Sequence, residues 1–272
     1  MLALGAERVA QQPPLERAQA IYHSFLERVP YENLSNNRVV AENPDDPDNW
    51  PRATDRLLRE NADFGLGGTS FSMAYALRDL LRGAGLTAHT TLGYNLVTEQ
   101  AHAAVVLYVD QGPFLYDPAL LMCGPVPVRP HGELEDPLGV IRLEPRCGPT
   151  LTVTLKMHCG TRAGAPGEEI WHTPTGEEGE RAVYSIIPVP APPQSYRQAW
   201  LASFYRGRAM PLRLACRRGD EIIRYGERPG SLEVLRANGR EERPLGSDPV
   251  GQLHELFGIA EICLRSWFER KR

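Results

Sequence analysis

Ser70, His102 and Asp117 are the residue types of a nucleophile, a base and an orienting carboxylate, and they follow one another in that order along the chain. A hydroxyl attacks an acyl carbon when a neighbouring imidazole takes its proton, and the imidazole works in one tautomer when a third group holds its other nitrogen. Gly67-Gly68-Thr69-Ser70-Phe71 puts two glycines just ahead of the hydroxyl, where they would let the backbone approach a substrate closely or adopt φ > 0. Met73, Ala74, Leu77, Leu80, Leu81 and Ala84 follow at helical spacing, with Gly83 or Gly85 as the stop. Ser70 is therefore expected at a helix N-terminus. Unpaired N–H groups and the positive end of the helix dipole there suit an acyl-transfer intermediate, with oxyanion donors expected from this helix start and the Gly67-Gly68 segment ahead of it.

The base and carboxylate need a hairpin. Residues 87–94 and 103–109 read as strands, and 114–116 return after Asp110, Gln111, Gly112 and Pro113. A two-residue turn at Asp110 and Gln111 sets position 117 opposite 104, making Asp117 a diagonal neighbour of His102 with Cα atoms about 7–8 Å apart. A three-residue loop would move Asp117 to the other face.

Around these, Leu15, Ala18, Tyr22, Phe25 and Val29 predict an amphipathic helix between Pro14 and Pro30, and a surface loop is expected over 42–48. A short helix over 54–61, capped by Thr54 or Asp55, leads to the glycines. Strands are expected at 151–157 and 182–188, separated by a Gly- and Glu-rich loop over 164–180. Pro188, Pro190, Pro192 and Pro193 mark a boundary before a helix over 195–205, two or three strands between 212 and 235, and one last helix over 249–269. The fold class is α/β (α+β) in three parts: a helical lobe over 1–86, a β module over 87–190 and a third lobe over 191–272.

A net charge of −4 over 272 residues, with Arg carrying most of the positive charge, argues against nucleic acid as a partner. No apolar run approaches the roughly 20 residues of a membrane-spanning helix, and the first residues lack a signal-peptide core, so a cytoplasmic protein is expected. Five scattered cysteines without a C-x-x-C pair argue against a disulfide framework or structural zinc, and no metal constellation emerges. Cys123 lacks a preceding glycine loop or helix start and reads as a packed thiol. His158 and Cys159 would face opposite sides of a strand, and His89 reads as a barrel-surface residue. Tyr31, Phe71, Tyr94 and Phe114 are candidates for an apolar acceptor pocket, with core packing as the plainer role.

Taken together, these motifs resemble the arylamine N-acetyltransferase family of the papain and transglutaminase-like group. Pro30-Tyr31-Glu32-Asn33-Leu34 is similar to its Pro-Phe-Glu-Asn-Leu segment, and Gly67-Gly68-Thr69-Ser70-Phe71 to its Gly-Gly-x-Cys-aromatic motif. Ala101-His102 and Tyr116-Asp117 resemble its His and Asp blocks, and residues 253–259 its closing helix. The resemblance implies a helical N-terminal lobe, a central antiparallel β-barrel and a C-terminal α/β lid. It also implies ping-pong acyl transfer from a coenzyme A thioester, the co-substrate, through an acyl-enzyme to a small-molecule amine. Ser70, His102 and Asp117 would be catalytic, and Tyr31, Gly68, Thr69 and Phe71 would meet substrate.

The chain departs from the family at Ser70 for Cys, Leu66 for Arg, Ser72 for Glu and Ala74 for Asn. Pro118-Ala119-Leu120-Leu121 replaces a Val-Gly-Phe-Gly type loop tied to acyl and coenzyme A contacts. A serine enzyme, a catalytically silent relative that binds a ligand or partner, and a cysteine replaced by serine all fit these residues. An amide- or macrolactam-forming enzyme supplied by a carrier protein is a further alternative.

Overall fold

A computed structural model describes residues 11–95, 101–157, 173–174, 180–207, 211–226 and 230–270. Helix α1 (Pro14–Arg28) starts on Pro14, whose missing N–H costs nothing in a first turn, and buries Ala18, Tyr22, Phe25 and Leu26 along one stripe. A two-residue strand β1 (Tyr31–Glu32) leads into α2 (Leu34–Glu42), so the residues after Leu34 form a helix where no periodicity announces one. A 3₁₀ turn at Pro47–Asn49 precedes α3 (Thr54–Phe64). The expected cap of α3 is corrected: Ala53 holds the N-cap position without a side-chain bond, and Thr54 Oγ1 donates instead to Asp79 Oδ2 at 2.6 Å. Gly65 ends the helix at φ 67°.

Helix α4 (Ser70–Gly83) buries eight residues on several sides because α1, α3 and two strands pack around it. Those strands are β2 (Thr87–Asn95) and β3 (Ala101–Val109). Then come β4 (Gly112–Tyr116), β5 (Val126–Pro127), β6 (Gly132–Asp136), β7 (Gly139–Pro145), β8 (Leu151–Met157), β9 (Thr173–Pro174) and β10 (Glu180–Ile186). The antiparallel order β5-β4-β3-β2-β10-β8-β7-β6 brings β5 back beside β6, a nearly closed barrel. Strands β5 to β7 are additional to those expected; their apolar content is interrupted by Pro, Gly and acidic residues, which hid the alternation. Most of the predicted 164–180 loop, with His158 and Cys159, lies outside the described residues.

Strand β3 is buried from Ala103 to Leu107 without alternation. Ala103, Val105 and Leu107 join the helical core, while Ala104 and Val106 join the barrel core with Leu115, Val153, Tyr184 and Ile186. A strand covered on both faces reads as a continuous apolar run.

Helix α5 (Pro193–Gly207) opens the third part, yet it packs into the first: Tyr196, Trp200 and Phe204 lie in the helical core with Phe71 and Trp50. A second antiparallel sheet follows, with β11 (Leu214–Arg218), β12 (Glu221–Tyr225), β13 (Ser231–Arg236) and β14 (Gly239–Pro244) in order after β1. The single closing helix is corrected to two, α6 (Pro249–Phe257) and α7 (Glu261–Arg270), because Gly258 takes φ 71° and stops the first. These helices and the sheet share a separate core around Leu214, Val234, Leu253 and Trp267.

Candidate active site

The hairpin register decides which face Asp117 occupies. Val109 pairs with Gly112 and Val105 with Tyr116, which makes Asp110 and Gln111 the two-residue turn and carries position 117 opposite 104. His102 Nε2 and Asp117 Oδ2 are 2.7 Å apart. Asp117 is fully buried, and its second oxygen, Oδ1, accepts the N–H groups of Ala119 and Leu120 at 3.0 Å each. Two amides and an imidazole thus hold a carboxylate that would otherwise cost several kcal/mol to bury. Tyr22 donates its hydroxyl to the Asp117 carbonyl at 3.0 Å. Burial, then the Asp117 charge, hold the Tyr22 phenol well above its ordinary range.

With Nε2 committed to Asp117, Nδ1 is the His102 nitrogen left for proton transfer. Tyr184 fixes the ring plane: its centroid is 4.4 Å from that of His102, tilted by 41°. Gly93, the cross-strand partner of His102, makes this possible, because a Cβ there would meet Tyr184 Cδ2 at 2.7 Å. Burial, then Asp117, also keep the Tyr184 phenol protonated far above its usual range.

Ser70 opens α4, the helix packed on β2 and β3, and is 8% exposed. Among the described residues no hydrogen bond joins its side chain to His102, whereas His102 and Asp117 are brought into direct contact. Thr69 occupies the N-cap, but its side chain caps nothing and Oγ1 has no hydrogen-bond partner. The N–H groups of the first turn are consequently not consumed by a side-chain cap.

The Gly67-Gly68 segment differs from expectation. Neither residue has φ > 0. A Cβ on Gly67 would run into the Pro30 carbonyl, and one on Gly68 into Ser72 Oγ and, at 2.8 Å, Arg52 Nη2. The close approach these glycines permit is to the protein itself. Gly68 N–H donates to Pro30 O at 3.2 Å, Glu32 N–H donates to Gly68 O at 3.0 Å, and Tyr31 bridges Gly68 as a parallel pair.

Arg52 carried no signal in the sequence beyond a cation in a proline-rich stretch, yet it is 1% exposed and ties this loop together. Its guanidinium donates to Gly67 O at 2.6 Å and to Glu60 Oε2 at 2.8 Å, and lies 3.8 Å from Glu32 Oε1. Glu32 Oε2 in turn accepts Ser35 N–H at 2.7 Å, in the first turn of α2. Burial alone would raise the Glu60 carboxyl, but the charge and hydrogen bonds of Arg52, with Arg56, outweigh it and hold the group below its ordinary range. Leu66, where the resemblance has arginine, is fully buried in the lid core; the guanidinium beside the loop is that of Arg52.

Tyr31 is half-buried on β1, paired with Ala215. Phe71 is 1% exposed, with its ring 5.6 Å from Tyr196 and its carbonyl accepting the Tyr196 hydroxyl at 2.7 Å, so it is a core residue. Tyr94 is exposed and Phe114 packs against the helical core. Burial, then Asp136, push the Cys123 thiol up to about 12, which removes it as a nucleophile near neutral pH. Pro118-Ala119-Leu120-Leu121 is internally engaged: two of its amides are on Asp117, and Leu121, at φ 57°, gives its carbonyl to Arg217.

No protein-family model matches the chain, and no curated protein matches its sequence. Solved structures do. The arylamine N-acetyltransferase of Mycobacterium marinum superposes with a TM-score of 0.70 at 17% identity, over 93% of this chain and 90% of that one. The same protein in complex with CoA gives 0.69 over the same shares. The Salmonella typhimurium enzyme gives 0.69 at 14% identity, over 94% and 91%. A Bacillus cereus arylamine N-acetyltransferase, described as having a unique Cys-His-Glu catalytic triad, gives 0.65 at 16% identity over 90% and 91%.

Proposed function

We propose that this chain, which has the arylamine N-acetyltransferase fold, is an acyltransferase moving an acyl group from a thioester to an amine, with Ser70, His102 and Asp117 as its triad. The His102–Asp117 hydrogen bond, anchored by two backbone amides, is the observation that carries the reading. It fixes an imidazole with one nitrogen held and the other available, the preparation a general base needs.

In this reading Ser70 Oγ attacks the thioester carbonyl as its proton passes to His102 Nδ1. The uncapped N–H groups at the start of α4 face the developing oxyanion, aided by the helix dipole. Collapse expels the thiolate, which takes the proton from His102 and leaves an ester on Ser70. An amine then attacks that ester; His102 accepts the amine proton and returns it to Ser70 Oγ as the amide departs. The donor suggested by the fold is acetyl-CoA, and a relative of the same fold is solved with CoA. The segment after Asp117 commits two amides and a carbonyl internally, so no contact to the coenzyme is assigned there.

An alcohol is harder to activate than a thiol: a thiol near pKa 8.5 becomes thiolate beside an imidazole and a helix N-terminus, and a hydroxyl does not. Intact mass after incubation with acetyl-CoA or p-nitrophenyl acetate tests the proposal. An acetyl adduct lost in Ser70→Ala supports it, and Ser70→Cys is expected to accelerate transfer by about 100-fold or more. A second reading, a silent relative that binds a ligand, is favoured by the missing Ser70–His102 hydrogen bond; it predicts no adduct in the parent chain or in Ser70→Cys.

A further inference from the structure

A cavity of about 630 Å³ lies between α4, the first half of β2 and α5, and none of Ser70, His102 or Asp117 lines it. The volume is that of a site for a small organic ligand. Its lining combines an aromatic wall with guanidinium groups, and the state of each group says what would be held there.

Among the described residues Arg82 has no acidic partner. Its Nε donates to Ala88 O at 2.7 Å and Nη2 to His89 Nδ1 at 3.1 Å, which orients the guanidinium while leaving its charge unneutralised. Burial, then the charges of Arg82 and Arg78, keep the His89 imidazole below its ordinary range, so it stays a neutral acceptor for Arg82. Arg197 pairs with Asp48 at 2.8 Å, but the Asp48 side chain is 84% exposed, and such surface pairs exchange readily for a better acceptor. Arg78 stacks 3.8 Å from the Tyr75 ring centroid and is neutralised by Asp79 at 2.6 Å, so it serves the wall rather than the charge. Trp200, 4% exposed, completes that wall 5.4 Å from Tyr75.

We propose that this cavity binds a small planar anion, an aromatic ring bearing a carboxylate or a phosphate, with the ring against Tyr75 and Trp200 and the anion on Arg82 and Arg197. Guanidinium groups pair such oxygens in a plane, and the aromatic wall selects a flat body over a bare ion. The carboxylate would come from a free aromatic acid and the phosphate from a nucleotide. The site does not depend on acyl transfer.

Calorimetric titration of the intact protein with 2-naphthoate, adenosine 5′-monophosphate and the neutral 2-naphthamide tests this. Saturable binding of at least one anion is expected, weakened about ten-fold in Arg82→Ala and in Arg197→Ala, as loss of a charge-assisted hydrogen bond implies. The tighter of the two anions assigns the source. Binding should be unchanged in Ser70→Ala, which separates this result from the fate of the acyltransferase reading. Circular dichroism confirms that the variants are folded, with Arg82→Gln and Arg197→Gln in reserve. Absence of saturable binding by both anions, affinity unaffected by both arginine changes, or naphthamide binding as tightly as naphthoate would overturn the proposal.

Discussion

At the scale of single residues, the informative fact is which atoms of Asp117 are occupied. Oδ1 takes two N–H groups and Oδ2 faces His102 Nε2. Asp117→Asn would keep its oxygen on the two amides and turn its NH2 toward His102, forcing Nε2 to accept and placing the ring proton on Nδ1. That tautomer cannot take a proton from Ser70. On the proposed acyl-transfer reading, activity is expected to fall by about 10³–10⁴, the magnitude of a wrong-tautomer change in a catalytic triad, while the thermal midpoint moves little. An activity loss below ten-fold, read with p-nitrophenyl acetate, would remove His102 Nδ1 as the base.

Among the elements, the turn entering α4 is fixed from three directions: by Pro30–Glu32 on one side, Arg52 on another and Ser72 from within the helix. Its glycines are spaces that these groups fill. Gly68→Ala should therefore cost about 1–3 kcal/mol, as overpacking typically does, and displace the start of α4. In the Ser72→Ala background the worst clash is gone, so the two changes should couple non-additively in chemical denaturation. Additive effects would show that the contact does not set the turn. The order of elements was legible because prolines and glycines bracket the long helices, and the hairpin register was legible as two alternatives, between which the two-residue turn decided. Helix α2 and strands β5 to β7 were not, since their residues are held by contacts made elsewhere in the chain rather than by a local period.

For the whole molecule, the ion pair between the second sheet and the barrel is decisive. Arg217 on β11 donates to both oxygens of Asp136 on β6, at 2.7 and 2.9 Å, and to the Leu121 carbonyl four residues past Asp117. Both side chains are nearly buried. Arg217→Ala would leave Asp136 buried with only the N–H groups of Cys123 and Leu138. A loss of about 3–5 kcal/mol is expected, the cost of orphaning one partner of a buried pair, read as a lowered midpoint in urea. Arg217→Met with Asp136→Leu should recover much of it; failure to recover would mean that the pair specifies how the lid sits on the barrel.

The sequence by itself determined the residue types of the candidate triad, the helix that begins at Ser70 and the two hairpin registers open to Asp117, of which the two-residue turn is the one observed. Those depend on local spacing, which the chain carries within a few residues. Only the tertiary structure decided that Arg52 anchors the glycine turn, that Phe71 is core, that α5 joins the first lobe, and that a cationic aromatic cavity opens behind α4. Each of these is a meeting of residues distant along the chain, set by how cores are filled and buried charges paired, and no local period encodes it.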